Sequence, residues 1–272
     1  MLWTPAGPVI KKLEPNLKGR DFVVGDMHGN RRALDVILRK IKFNTSNDRL
    51  FSVGDLVDRG PENMECLELL KEPWFNHALG NHDFNNLLLY LIETKQFHEL
   101  SHLPGVDTGI ELDQNNYRQT LPWDPEAFAC ENGGRWIIPY FSTTKLEACM
   151  EFMLTSPHII QVGQDDDRFH VVHAGLHSTT NISPKVAAND NHVDTNIWAM
   201  RAPYWGTIAL MAQRYESFQD VPNLSLTYCG HTPVSSPLLF ASHYNIDTGA
   251  GKGGILTVVQ HNTKKAWQVE TA

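Results

Sequence analysis

Short apolar runs alternate with amphipathic stretches along the first third of the chain. Arg20-Asp21-Phe22-Val23-Val24 reads as a buried strand that stops at Gly25. Asn30 is placed as a helix N-cap, and Leu34, Ile37, Leu38 and Ile41 then recur at helical spacing. The plan repeats. Leu50-Phe51-Ser52-Val53 is a strand, a loop covers 54–60, and Pro61 sits where a first helical turn accepts it. Met64, Leu67 and Leu70 mark that helix's buried face. A third strand is expected over 74–79, followed by Gly80-Asn81-His82-Asp83 and a helix carrying Leu87, Leu88, Leu91 and Ile92. Strand, loop and helix in succession predict parallel strands joined by crossover helices.

The second half has another rhythm. Phe169-His170-Val171-Val172 and Leu224-Ser225-Leu226-Thr227-Tyr228 read as strands ending at His173 and Gly230-His231. Tyr244-Asn245-Ile246-Asp247 and the apolar run 255–259 flank a glycine-rich stretch, which predicts a hairpin closing the sheet. Residues 95–135 lack periodicity and read as an insertion or cap over the active site. The class is α/β, in one domain over residues 1–272.

Where the apolar runs stop, metal-binding types of side chain begin. Five junctions share this form: Gly25-Asp26-Met27-His28-Gly29, Gly54-Asp55-Leu56-Val57-Asp58-Arg59-Gly60, Gly80-Asn81-His82-Asp83, His173-Ala174-Gly175 and Gly230-His231-Thr232. One Gly-Asp is an ordinary turn, and one histidine at a strand end is an ordinary surface residue. Five junctions at strand exits converge, because α/β sheets gather their ligand sites at the carboxyl ends of strands. Asp26 and His28, two apart on an extended exit, are expected to point the same way and share an ion. Asp26, His28, Asp55, Asn81, His173 and His231 pool imidazole, carboxylate and amide donors without thiolate. That set suits manganese, iron or zinc. Six ligands exceed the needs of one tetrahedral ion, so two divalent ions are expected, sharing one carboxylate. His82 beside ligand Asn81 is placed to protonate a leaving oxygen, Asp58 to orient it, and Arg59 to grip a phosphate with its planar fork.

Composition narrows the partners. With 272 residues, 42% of them apolar, the chain can bury a full core. A net charge of −8 argues against general affinity for nucleic acid or anionic membranes. No signal-like or membrane-length apolar run is seen, and Cys66, Cys130, Cys149 and Cys229 have no paired spacing, which together predict a soluble, cytoplasmic protein.

Taken together, Gly-Asp-x-His-Gly, Gly-Asp-x-x-Asp-Arg-Gly, Gly-Asn-His-acid and Gly-His-Thr resemble the phosphoprotein phosphatase family of metallophosphatases. The stretch from Ser52 to Asp83, Gly230-His231-Thr232-Pro233 and Asp247-Thr248-Gly249-Ala250 are similar to its bacterial and bacteriophage lambda-type Ser/Thr phosphatases. The resemblance implies a calcineurin-like β-sandwich of two mixed sheets flanked by helices, with the site at the strand ends and manganese as the usual ion. It implies that Asp26, His28 and Asp55 bind a first ion. Asp55 then bridges to a second held by Asn81, His173 and His231. His82 with Asp58 forms the acid pair and Arg59 a phosphate clamp. The reaction implied is in-line attack of a metal-bridging hydroxide on a phosphoprotein or a small phosphate ester.

Three positions depart from the pattern. Leu79 stands where an arginine is expected, Asp83 replaces the usual glutamate, and the arginine after Asn196-Ile197-Trp198 is displaced by one, to Arg201. Arg201 is a candidate replacement clamp. Leu-Gly-Asn-His-Asp and His-Ala-Gly are also similar to symmetrical diadenosine tetraphosphate hydrolases, which keeps a nucleotide substrate open; Asp58 favours the protein phosphatases. A metal-binding scaffold without turnover is the remaining reading. The run 247–254 lacks the spacing of a phosphate-binding P-loop, though Asp247 is placed to support a ligand histidine. Asp165-Asp166-Asp167 reads as a solvated turn, Trp136 as core or groove wall, and most of the thirteen histidines as surface residues.

Overall fold

The structure, a computed structural model, describes residues 10–100, 124–164, 167–175, 225–240 and 243–271. Its first part runs β1 (Ile10–Leu13), β2 (Asp21–Val24), α1 (Arg31–Lys40), β3 (Arg49–Ser52), α2 (Asn63–Leu67), β4 (Phe75–His77), α3 (Asn81–Glu93) and α4 (Phe97–Leu100). Then come α5 (Pro125–Asn132), a 3-10 turn (Gly134–Tyr140), α6 (Thr144–Leu154), β5 (Ile159–Val162), β6 (Phe169–Val172) and β7 (Leu226–Cys229). The chain closes with β8 (Leu238–Phe240), β9 (His243–Asn245), β10 (Ile255–Gln260) and β11 (Ala266–Glu270).

Two mixed sheets face each other. One has the order β1-β5-β6-β7-β9-β8, the other β11-β10-β2-β3-β4. As the strand–loop–helix rhythm requires, β2, β3 and β4 are parallel, with Phe22 against Leu50 and Leu50 against Phe75. The pleat then divides their side chains. Val23 and Phe51 point between the sheets, among Ile160, Phe169, Val171 and Tyr228. Phe22, Val24 and Leu50 point the other way, onto Leu34, Ile37, Leu67 and Leu88 of the helices. Both faces of β2 are covered, which is why that strand reads as one apolar run. Each such side chain taken out of water stabilises the fold by about 1.5–3 kcal/mol.

Charged pairs pin the other end of this sheet. Arg49 grips Asp21 through two hydrogen bonds of 2.8 Å, and Arg20 grips Asp48 at 2.6 and 3.2 Å. The carboxyl ends of the strands stay clear for the site.

Three expectations need correction. Tyr244-Asn245-Ile246-Asp247 and the 255–259 run are not the two arms of a hairpin in one sheet; the pairing between them is limited to isolated bridges of Thr248 and Gly249 with Ile255. β9 belongs to one sheet and β10 to the other, so the glycine-rich stretch crosses between sheets. Local turn chemistry could not tell a crossover from a hairpin, because both need glycine at positive φ, here Gly249 and Gly253. Asn30 does precede α1, but its side chain makes no cap; its Nδ2 donates to the carbonyls of Met27, His28 and Ala250. Finally, the histidines are mostly buried among the described residues: His28, His77, His82, His158, His170, His173 and His243. Of the 95–135 insertion, residues 101–123 lie outside the described residues, and α5 packs on α3.

Candidate metal centre

Two loops zip together to build the floor of the site. Met27 and His28 donate their N–H groups to the Asp55 carbonyl at 3.0 and 2.9 Å, and Gly29 donates to Leu56 at 2.8 Å. In return Gly60 donates to His28 and Glu62 to Gly29. Such close approach forbids a Cβ at Gly60, which would stand 2.2 Å from the His28 oxygen. The loops are strained as well as close. His28, Asp55, Asp58, Arg59 and His231 all have positive φ, between 43° and 75°. Each costs roughly 1–3 kcal/mol, so the surrounding hydrogen bonds must hold them there.

The turn at His28 overturns the expectation that Asp26 and His28 project together from an extended exit. With φ at 43°, His28 bends away. Asp26 instead accepts the His231 N–H at 3.0 Å, while His28 faces Asp55 and Arg59. Both residues still reach the same basin.

The donors fall into two groups. In one, ligand atoms of His28, Asp55 and His82 lie within 4.8 Å of one another; in the other, those of Asp55, His173 and His231 do. Asp55 is common to both. Asn81 joins the second group, its Oδ1 2.9 Å from His173 Nε2. Five of the six expected ligands, His28, Asp55, Asn81, His173 and His231, meet in these groups, and Asp26 adjoins them through the His231 N–H, although their positions in sequence span Asp26 to His231.

The chemistry of this set fits divalent cations. His173 Nδ1 spends its proton on the Val53 carbonyl at 3.1 Å, so Nε2 presents a lone pair. That lone pair faces Asn81 Oδ1 and, at 3.4 Å, Asp55 Oδ2. Acceptors do not crowd acceptors unless a cation sits among them. The positive charge those acceptors call for can equally be a proton: burial opposes charge on His173, yet the Asp55 carboxylate outweighs it and raises the imidazole to about 10, so Nε2 takes either a proton or an ion. His28, by contrast, is lowered to about 4, first by burial, and its Nδ1 donates to Val57 at 2.8 Å, leaving Nε2 ready as a ligand. Burial also raises Asp26, with the Asp247 carboxylate adding to it. Asp55 goes the other way: burial pushes it up, but the charges of His173 and His82 pull it well below the usual range. Buried Asp26, Asp55 and Asp247 share this basin with Arg59, an imbalance that two divalent ions would reverse.

Beside the ligands stands a second array. His82 Nδ1 meets Asp58 Oδ2 at 2.6 Å, and both side chains are buried. Arg59 extends one guanidinium nitrogen to His82 Nε2 at 3.0 Å and another to His28 Nε2 at 2.8 Å. The fork thus spans the space between the ligand group and the imidazole. Gly251 closes over it, with room for no Cβ: one would lie 2.3 Å from the His28 ring. Arg201 lies outside the described residues, as do Asp165, Asp166, Asn196, Ile197 and Trp198.

The substituted positions have structural duties. Leu79 is buried in the helix-side core. Asp83 accepts from Leu56 N at 2.9 Å and Gly80 N at 3.1 Å, tying the start of α3 to the 54–60 loop. Two contributors escaped the sequence. Asn86 and Trp136 both donate to Asp58 Oδ1, at 2.9 and 2.8 Å. Asn86 carried a signal, since it lies four residues beyond His82 on one helix face. Trp136, read as core or groove wall, gave no sign of this contact.

Known proteins place this arrangement. Residues 22–235 match the calcineurin-like phosphoesterase family. The chain is similar to serine/threonine-protein phosphatase 1 of Salmonella typhimurium, 28% identical over 88% of this chain and 90% of that one. It is also similar to the symmetrical bis(5'-nucleosyl)-tetraphosphatase of Actinobacillus pleuropneumoniae, 42% identical over 50% of this chain and 53% of the other. A solved structure provisionally assigned as a diadenosine tetraphosphatase shares the fold, with a TM-score of 0.59 and 20% identity, over 98% of this chain and 99% of that one. The mixed sheets, the shared Asp55 between two donor groups and the match over 22–235 lead to one conclusion: the chain belongs to the calcineurin-like phosphoesterase family, metal-dependent hydrolases of phosphoric esters.

Proposed function

We propose that this enzyme is a phosphomonoesterase that removes phosphate from serine and threonine in proteins. The observation that carries the reading is the His82–Asp58 pair, with its 2.6 Å bond. A serine alkoxide is a poor leaving group and needs a proton as the P–O bond breaks. A nucleoside diphosphate leaves readily without one. An acid buttressed by a buried carboxylate therefore makes chemical sense for alkyl phosphates.

In this reading Asp26, reaching in from beside the His231 N–H, would join His28 and Asp55 to hold one ion, with His82 of that donor group kept for acid chemistry, and Asp55, Asn81, His173 and His231 would hold the other. Bound there, divalent ions, most simply manganese, with iron or zinc suited to the same donors, would supply Lewis acidity and lower the pKa of water. Arg59 grips the equatorial phosphoryl oxygens, its fork lying between the ligand group and His82. Asp58 holds His82 by Nδ1; when Arg59 turns its N–H groups from His82 Nε2 to the phosphoryl oxygens, Nε2 is freed to carry a proton and pass it to the leaving oxygen. Arg201 is assigned a supporting contact to phosphate. The whole chain acts as one catalytic domain, in the cytoplasm. Among the described residues no helix is long and apolar enough to cross a membrane, and the net charge of −8 disfavours nucleic acid as a partner.

A second reading takes a dinucleoside polyphosphate as substrate. Leu79, an apolar residue where the protein-phosphatase pattern has an arginine, supports it, as does the similarity to the tetraphosphatase. Manganese-loaded protein, assayed side by side on a phosphoserine peptide and diadenosine tetraphosphate, separates the two. Faster phosphate release from the peptide is expected. Faster production of nucleoside diphosphate would replace the protein-phosphatase reading with the nucleotide one.

A further inference from the structure

Asp58 is wholly buried, and its carboxylate is filled from two directions. His82 Nδ1 occupies Oδ2, while Asn86 Nδ2 and Trp136 Nε1 both donate to Oδ1. Asn86 also holds the His82 carbonyl at 2.9 Å, one turn back along α3. Trp136 arrives from the 3-10 turn, 78 residues along the chain from Asp58. Two glycines admit it. A Cβ on Gly133, whose φ is +85°, would lie 2.8 Å from the Arg59 nitrogen, and one on Gly134 would lie 3.3 Å from Asp58 Oδ1. Phe128 of α5 adds an edge contact to the His82 ring, with centroids 5.1 Å apart. The segment 125–140 is thus docked onto the acid pair and the arginine loop, not merely laid over them.

A carboxylate turns easily about its last torsion, which is broad and two-fold. With only His82 bonded, Asp58 could rotate and carry the imidazole with it. Donors on Oδ1 remove that freedom. We propose that Trp136 and Asn86 are positioning residues, which fix the plane of Asp58 so that His82 Nε2 stays aimed at the leaving oxygen. The 125–140 segment then serves proton delivery rather than substrate selection. This rests on the reading of His82 as the general acid.

The test compares Trp136→Phe, Asn86→Leu and His82→Asn as manganese-loaded enzymes on phosphoserine peptide and on nitrophenyl phosphate, whose leaving group needs no proton. Trp136→Phe keeps the ring packing and removes only the N–H. Its kcat on the peptide is expected to fall about tenfold or more, with less than about a twofold loss on nitrophenyl phosphate and little change in KM. Asn86→Leu should lose in the same sense, and the double variant less than the product of the two. A second readout does not depend on turnover. The low-field proton resonance of His82 Nδ1, identified by its disappearance in His82→Asn, should move in Trp136→Phe. Equal losses on both substrates, a change confined to KM, or an unmoved resonance would overturn the proposal. If His82→Asn itself loses equally on both substrates, the acid reading falls and takes this inference with it. If His82→Asn discriminates and the other two do not, only the positioning role falls. Should Trp136→Phe fail to fold, Asn86→Leu decides alone.

Discussion

His82, Asp58 and Arg59 illustrate how much work one loop and one helix start can do. Asp58 and Arg59 are neighbours held at positive φ, and they reach opposite sides of the same imidazole. If His82 donates the leaving-group proton, His82→Asn should slow phosphoserine turnover by about a hundred- to ten-thousandfold and nitrophenyl phosphate far less. Steady-state rates on the two substrates check this, and equal losses would remove the acid role. Arg59→Lys keeps the charge but loses the planar fork. KM for phosphopeptide should rise about tenfold, with kcat less affected. A fall in kcat at constant KM would mean that Arg59 engages phosphate only in the transition state.

At the scale of elements, the site is a set of strand exits pressed against each other, and glycines decide how closely. A Cβ on Gly230 would fall 1.9 Å from Asp26 Oδ1, and one on Gly80 would fall 2.2 Å from Asp55 Oδ1. Neither carboxylate can yield freely, because Asp26 accepts from His231 N and Asp55 from His82 N. Gly230→Ala is therefore expected to weaken binding of at least one ion by tenfold or more, an overpacking strain of about 1–3 kcal/mol. Calorimetric titration with manganese measures it directly; two ions bound with unaltered affinity would show that Asp26 is not held where the structure places it.

At the scale of the whole molecule, burial of charge links stability to metal and to pH. Chelation leaves Asp26, Asp55 and Asp247 crowded and buried, so manganese at a hundred times its dissociation constant should add about 2.7 kcal/mol per chain for one site, or about 5–10 °C in Tm. A melt insensitive to manganese would contradict the centre. Histidines away from it supply a separate acid sensitivity. His170 is lowered to about 4, by burial and then by Arg168; His243 is lowered to about 3, by burial and then by His170. The unfolded chain takes up these protons below about pH 6.5, and the folded one resists until its own lower values. More protons on the unfolded state means stability falls as pH falls, by up to about 1.4 kcal/mol per pH unit for each histidine, from about 6.5 towards 4. His170→Gln should flatten that part of the profile in denaturant titrations. An unchanged slope would mean that other groups dominate it.

The sequence by itself determined the parallel strands, the five junctions and the donor types that gather at them, because local pattern governs them. Apolar runs bounded by glycine specify strands and their exits, and the residue types at those exits name the donors. Only the tertiary structure decided what long-range contact decides. It bent His28 away from Asp26, sent β9 and β10 to different sheets, and buried histidines that composition alone would leave in water. It also set Trp136 against Asp58, a contact across 78 residues that no spacing foretells. Backbone strain, sheet partnership and burial are properties of the packed chain, and they exist only once distant segments have met.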